Sequence, residues 1–180
     1  MRNAAISTAF LLAVAVSSSP SSSKAQEQTI KPTLSVSVRS VKPSYSIKQN
    51  ISLEIQLENV GTESLLLCRK WGWGVGRTNV RVIDTNGKEV HTSFLADALP
   101  PPPRDTDFIE LGGGEFFGTR LNENAKHFVN TPGTYDFFVE YTSFLSEEWV
   151  RQYLKLPPLP LWSWERGTIV SGKIRIEITQ

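Results

Sequence analysis

Apolar and polar side chains alternate with period 2 along four stretches of this chain. Leu34, Val36 and Val38 alternate with Ser35, Ser37 and Arg39, and Ile51, Leu53, Ile55 and Leu57 alternate with Ser52, Glu54, Gln56 and Glu58. Ile174, Ile176 and Ile178 alternate with Lys173, Arg175 and Glu177. Tyr135, Phe137, Val139 and Tyr141 form a fourth apolar face opposite Asp136 and Glu140, with Phe138 breaking the polar side. Successive strand side chains point to opposite faces, so each stretch predicts an antiparallel strand with one buried and one wet side.

Turn chemistry cuts the chain between these stretches. Asn59-Val60-Gly61 ends the second. Asn86-Gly87 separates the run from Val80 to Ile83 from Glu89-Val90-His91 and predicts a hairpin. Gly112-Gly113-Gly114 divides Phe108-Ile109-Glu110-Leu111 from Phe116-Phe117, and Thr131-Pro132-Gly133 leads into Tyr135. The best helical pattern after the leader is short, at 147–154. Two segments depart from the strand rhythm: 96–107, holding the prolines 100–103, and 146–166, holding Leu156-Pro157-Pro158-Leu159-Pro160-Leu161. Proline cannot donate to a ladder, so both are expected as surface connections with polyproline-like pieces. About seven short strands with two long Pro-rich loops predict an all-β antiparallel sandwich.

At Pro132-Gly133-Thr134-Tyr135 the sequence resembles the tyrosine corner of Greek-key sandwiches, in which a Tyr hydroxyl bonds a backbone group upstream. Tyr45, the strand running to Leu57 with Asn59 and Gly61 after it, the run Leu65 to Trp71, and Trp164 and Gly167 before the last strand extend the likeness. The whole is similar to bacterial secreted immunoglobulin-like domains that accompany secreted metallopeptidases, and to small bacterial proteinase-inhibitor sandwiches. That resemblance implies a single immunoglobulin-like Greek-key domain over 33–180. It transfers no peptidase residue, because none of the peptidase motifs occurs here.

Composition alters the picture mainly at the N-terminus. Arg2 precedes an apolar run at 4–16, a Ser/Pro tract follows at 17–23, and Ser23-Lys24-Ala25 offers small residues where a signal peptidase cuts. The expected organisation is a signal peptide at 1–25, a flexible segment at 26–32 and the sandwich after it. The apolar run is shorter than the roughly 20 residues a spanning helix needs. A secreted or periplasmic, monomeric product is expected. Loss of residues 1–25 removes Arg2 and Lys24 and no acid, taking the formal charge from +1 to −1. Such a balance gives no pull toward nucleic acid. Cys68 is the sole cysteine, so no internal disulfide is available, and its place in Leu65-Leu66-Leu67-Cys68 marks it as a buried small hydrophobe.

Candidate chemistry is sparse. His91 and His127 lack ligand-spaced neighbours, and no His-Glu-x-x-His, Cys-x-x-Cys or Gly-x-Ser-x-Gly pattern occurs. The glycines at 72, 74 and 76 do not match a phosphate loop, and Asp105-Thr106-Asp107 supplies too few oxygens for calcium. No catalytic residue, metal or cofactor is therefore expected, and the chain reads as a non-catalytic module.

The tryptophans carry more information. Trp71 and Trp73, and Trp162 and Trp164, are spaced i,i+2, which puts each pair on one face of an extended chain. Trp71 and Trp164 stand where the resemblance uses core aromatics, which leaves Trp73 and Trp162 as the rings expected to be exposed. Trp149 and Tyr153, at i,i+4, are expected to pack inward. Trp73, Trp162, Arg77 and Tyr153 make up the candidate binding surface. Its expected partner is another exported protein, with a polysaccharide or a peptidase as alternatives.

Overall fold

The computed structural model describes residues 33–70, 78–90 and 102–180. The four alternating stretches are strands. β1 (Leu34–Ser40) pairs antiparallel with β3 (Asn50–Asn59), which pairs on its other side with β8 (Phe116–Asn124). The second sheet runs in the order β2 (Ser44–Ser46), β11 (Ile174–Thr179), β9 (Gly133–Thr142), β5 (Thr78–Asp84), β6 (Glu89–Val90). Here β2 lies parallel to β11. A short β10 (Thr168–Val170) extends the β11 side of β9. The inward rows of both sheets close over one core that includes Ile51, Leu53, Ile55, Val80, Val82, Phe137, Val139 and Ile176. This is an all-β immunoglobulin-like sandwich, with neighbouring strands drawn from distant parts of the chain.

The two Tyr residues of the sequence pattern close sandwich edges. The Tyr135 hydroxyl donates to the Thr131 carbonyl at 2.9 Å with the ring buried, so the tyrosine corner is present. A Cβ on Gly133 would press on the Tyr135 ring at 3.3 Å, which is why glycine precedes it. Tyr45 does the same work between β1 and β3: its hydroxyl accepts from the Lys42 N–H and donates to the Ser52 carbonyl, each at 3.1 Å. The Asn-Gly hairpin forms as expected, with Gly87 at φ 81° and the Asp84 carboxylate accepting from Asn86 and Lys88 N–H groups.

Gly112 to Gly114 does not reverse the chain into a hairpin. β7 (Phe108–Leu111) and β8 are two legs of one bent path, and they pair respectively with β4 (Leu65–Cys68) and β3. Asn59, wholly buried, occupies the bend. Its side-chain amide donates to the carbonyls of Glu63 and Leu111, both at 2.8 Å, while its oxygen accepts from Gly61 N–H at 3.0 Å. Its own backbone bonds Glu115 and Gly114. A Cβ on Gly113 would lie 2.7 Å from the Gly61 carbonyl oxygen, so the two kinked chains touch backbone to backbone here. The Leu-x-Asn-x-Gly pattern is therefore a hinge at which the paired chains bend into the β4–β7 ribbon, whose Leu65, Leu67 and Leu111 still face the main core.

Beyond the hinge a second, smaller core forms from Leu66, Cys68, Leu145, Val150 and Leu161. The helix expected near 147–154 is α1 (Glu147–Tyr153), capped by the Ser146 hydroxyl, which accepts from Trp149 N–H at 3.0 Å. The Pro-rich stretch after it keeps Pro157, Pro158 and Pro160 exposed, as expected of a surface connection, but its end at Leu161 is tied into the smaller core. Residues 160–162 run parallel to β4: Leu66 N–H donates to the Pro160 carbonyl at 2.7 Å, and Trp162 N–H donates to the Leu66 carbonyl at 2.9 Å. Proline lacks a donor but keeps its acceptor, which is all the Leu66 amide requires. Arg151 reaches back from α1 and donates to the Pro157 and Leu159 carbonyls.

Candidate functional site

The aromatic expectations divide. Trp162 is 3% exposed and belongs to the main core, contrary to its expected exposure, while Trp164, expected inside, is 57% exposed. The reason is local. The chain is extended only as far as Ser163, where a 3-10 turn over Trp164–Arg166 begins. The i,i+2 rule that puts both rings on one face fails at that junction. Tyr153 is exposed at 62% and lies 5.5 Å, ring to ring, from the half-buried Trp149, so only one of the pair packs inward. Trp73 and Arg77 fall outside the described residues, as does His91. Of the named residues that are described, Trp162 is buried and Tyr153 exposed, so these two do not form a platform.

Other sequence candidates have structural work. The Asp107 carboxylate accepts from the Arg104 N–H at 2.7 Å and pairs with Lys70 at 2.7 Å. These contacts, the backbone bond foremost, hold its pKa below the ordinary value. His127 bonds Glu123 at 2.7 Å. Among the described residues no three His, Cys, Asp or Glu side chains converge as metal ligands, and no helix is long and apolar enough to cross a membrane. Cys68 is buried in the second core, and desolvation pushes its thiol pKa up.

The outer faces of the two sheets differ. On the β5–β9–β11 face the polar groups are matched to one another. Arg81 lies over the Phe138 ring at 5.6 Å and pairs with Glu140 at 2.9 Å, while Asp136 takes a forked pair of bonds from Arg175 at 2.8 and 3.1 Å. The β1–β3–β8 face instead carries an open trench of about 620 Å³.

Register builds this trench. Three rows of side chains cross the strands: Arg39, Glu54 and Arg120; then Ser37, Gln56 and Gly118; then Ser35, Glu58 and Phe116. The middle row is uncharged and falls to small residues on both edge strands, Ser37 and Gly118, so it forms a floor with Gln56 at its centre. Rows two residues apart rise about 6.6 Å along a strand, which sets the Arg120 and Phe116 backbones roughly 13 Å apart on either side of that floor. One wall is cationic. Both guanidiniums share the Glu54 carboxylate, and the Arg120 bond, followed by the Arg39 bond, lowers the Glu54 pKa. Two cations on one anion leave a net charge of +1, with both guanidiniums held in place and most of their surface open (Arg39 81%, Arg120 62%). On the other wall stands Phe116, at 65% exposure.

Arg39 and Glu54 were legible only as polar positions of two strands, and Phe116 as the flank of a glycine turn. Their shared site follows from cross-strand alignment, which no local pattern encodes.

No protein-family model matches this chain, and no curated protein matches it. Among solved structures it is similar to a β-glucosidase from Listeria innocua at 12% identity and a TM-score of 0.39, covering 82% of this chain and 16% of that one. A β-glucosidase from Erythrobacter marinus gives 8% identity, a TM-score of 0.39 and coverage of 81% and 15%. A CARDB domain from Pyrococcus furiosus gives 15% identity and a TM-score of 0.36, covering 81% of this chain and 91% of that domain. The chain thus spans a small part of the glucosidases and nearly all of the CARDB domain. Likenesses this distant say nothing of activity.

Proposed function

We propose that the chain is an exported, non-catalytic β-sandwich module that binds another protein through the outer face of the β1–β3–β8 sheet. The observation that supports this is the trench, where an exposed aromatic ring and two preoriented arginines stand on a rigid strand floor. Arg and aromatic side chains are the types that dominate binding energy at protein interfaces. Its walls hold no nucleophile–base pair, and the histidine nearest in sequence, His127, is engaged by Glu123. The export part of the reading rests on the leader pattern at 1–25.

Expression of the full chain with a C-terminal tag tests both parts. The exported product should begin at Gln26, and it should capture a protein from an extract of exported proteins. Replacement of Phe116 by Ser should abolish the capture. Retention of an uncleaved product in the cytosol would refute export, and capture indifferent to Phe116→Ser would refute this face as the interface. Carbohydrate binding is a second reading, favoured by the exposed Trp164 and Tyr153 of the smaller lobe. Quenching of Trp fluorescence by a polysaccharide, lost in Trp164→Ala, would support it instead.

A further inference from the structure

The two walls of the trench differ in chemistry, and that difference specifies an occupant. Arg39 and Arg120 stand on the edge strands β1 and β8 and converge on Glu54 of the central strand. Neither arginine is exhausted by this. A guanidinium has five N–H donors in a fixed fork, and a shared carboxylate can occupy only some of the ten. Glu54 therefore acts as a brace that fixes the fork directions, while the row keeps a net positive charge. The facing row is Ser35, Glu58 and Phe116, and of these the Phe116 ring is the one that lines the trench. Between them Gln56 stands at the centre of the floor, and Gly118 leaves its β8 end without a side chain, where a Cβ would lie 3.1 Å from the Ile55 carbonyl oxygen.

An extended chain lying in such a trench, across the strands, points alternate side chains toward opposite walls. We infer that the occupant is an extended segment of the protein partner in which acidic and apolar residues alternate, carboxylates on the arginine row and apolar side chains against Phe116. This rests on the reading of the face as a protein-binding surface and names the partner's chemistry. Charge complementarity favours it: a carboxylate meets a paired, preoriented guanidinium fork with two parallel bonds. The width favours it as well. Roughly 13 Å between the rows accommodates one backbone and two opposed side chains. The arginine wall also discriminates, since a basic segment would be repelled from a row already carrying surplus positive charge.

The test uses the exported chain, ¹⁵N-labelled, titrated with a synthetic peptide of four Glu-Leu repeats. Amide shifts are expected to concentrate at residues 37–39, 54–56 and 116–120, and to weaken as salt is raised beyond the Debye screening range. A Lys-Leu peptide of the same length should cause none of them. Phe116→Ser and the double variant Arg39→Gln/Arg120→Gln should each weaken binding about tenfold or more, as expected when an interface anchor is truncated. Both change only exposed side chains, so an unchanged spectrum elsewhere certifies folding. Equal shifts with the Lys-Leu peptide, or none with Glu-Leu at millimolar concentration, would overturn the inference. Shifts at the same residues with oligogalacturonate and none with the peptide would reassign the trench to an acidic polysaccharide. If the peptide fails while Phe116→Ser still abolishes protein capture, the face remains an interface and only the occupant's chemistry is wrong.

Discussion

The sandwich core and the smaller core beyond the Asn59 hinge are built on different plans. In the sandwich, every long strand spends alternate residues on the interior, and the buried rows of two sheets meet. Each wet face is then free for other use, such as the trench. In the smaller lobe there is little surplus. β4 buries all four of its residues, because Leu65 and Leu67 face the main core while Leu66 and Cys68 face the second. The same division occurs one layer out, where Leu161 enters the second core and Trp162 the first. Period 2 persists in these segments but separates two interiors rather than interior from water. One core is closed by long ladders; the other is closed by a seven-residue helix, proline carbonyls and one arginine. The contrast implies a stable sandwich with a lobe that can open on its own.

The largest effect should come from the sandwich. Phe137→Ala, at a wholly buried central position in edge contact with Phe128 (5.8 Å between ring centroids), is expected to cost about 4 kcal/mol. Chemical denaturation should show one cooperative transition moved as a whole. Asn59→Leu comes next, at about 3 kcal/mol, because it strands the buried Leu111 carbonyl, frees the partly buried Glu63 carbonyl and leaves the Gly61 N–H without its acceptor. It should also uncouple the lobes, turning one transition into two. A single unshifted transition would refute the hinge role.

Leu161→Ala should cost about 2 kcal/mol, near the low end for such truncations, and confine its damage to the smaller lobe. Cys68 reports this directly. Its raised pKa and burial should make it unreactive to thiol reagents at neutral pH in the parent chain. Leu161→Ala should speed labelling many-fold while the denaturation of the sandwich hardly moves; equal sensitivity in Phe137→Ala and Leu161→Ala would show that the two cores open together. Tyr135→Phe, which removes only the corner hydroxyl, should cost about 1 kcal/mol.

The smallest effect is electrostatic and lies on the β9–β11 face. Arg175, with Lys173 further off, depresses the Asp136 pKa below its ordinary value of 3.8. A group whose folded pKa is depressed stabilises above its unfolded pKa and loses that contribution as pH falls through the folded value. Asp136→Asn should therefore lower the neutral plateau of a stability–pH profile slightly and converge with the parent profile as pH falls below about 4, flattening the acid limb by that same small amount, the pair being solvent-screened.

Much of this architecture can be read along the chain. The phase of each long strand, the Asn-Gly hairpin, the short helix and the tyrosine corner follow from residues within a few positions of one another. Backbone geometry fixes the direction of neighbouring side chains, so local order is enough. Three features needed the folded molecule. The Pro-rich segment, exposed at its prolines, was anchored at its end because β4 offered it an unpaired amide at Leu66. Trp162 and Trp164 took opposite environments because a 3-10 turn starts between them. Arg39, Glu54 and Arg120, together with Gly118 and Phe116, became one trench because strands far apart in sequence align in a particular register. Sequence alone determined which residues face outward, through a two-residue repeat. Which outward residues meet was decided by tertiary structure, since that depends on the register between separate strands, 15 residues apart for Arg39 and Glu54 and 66 for Glu54 and Arg120.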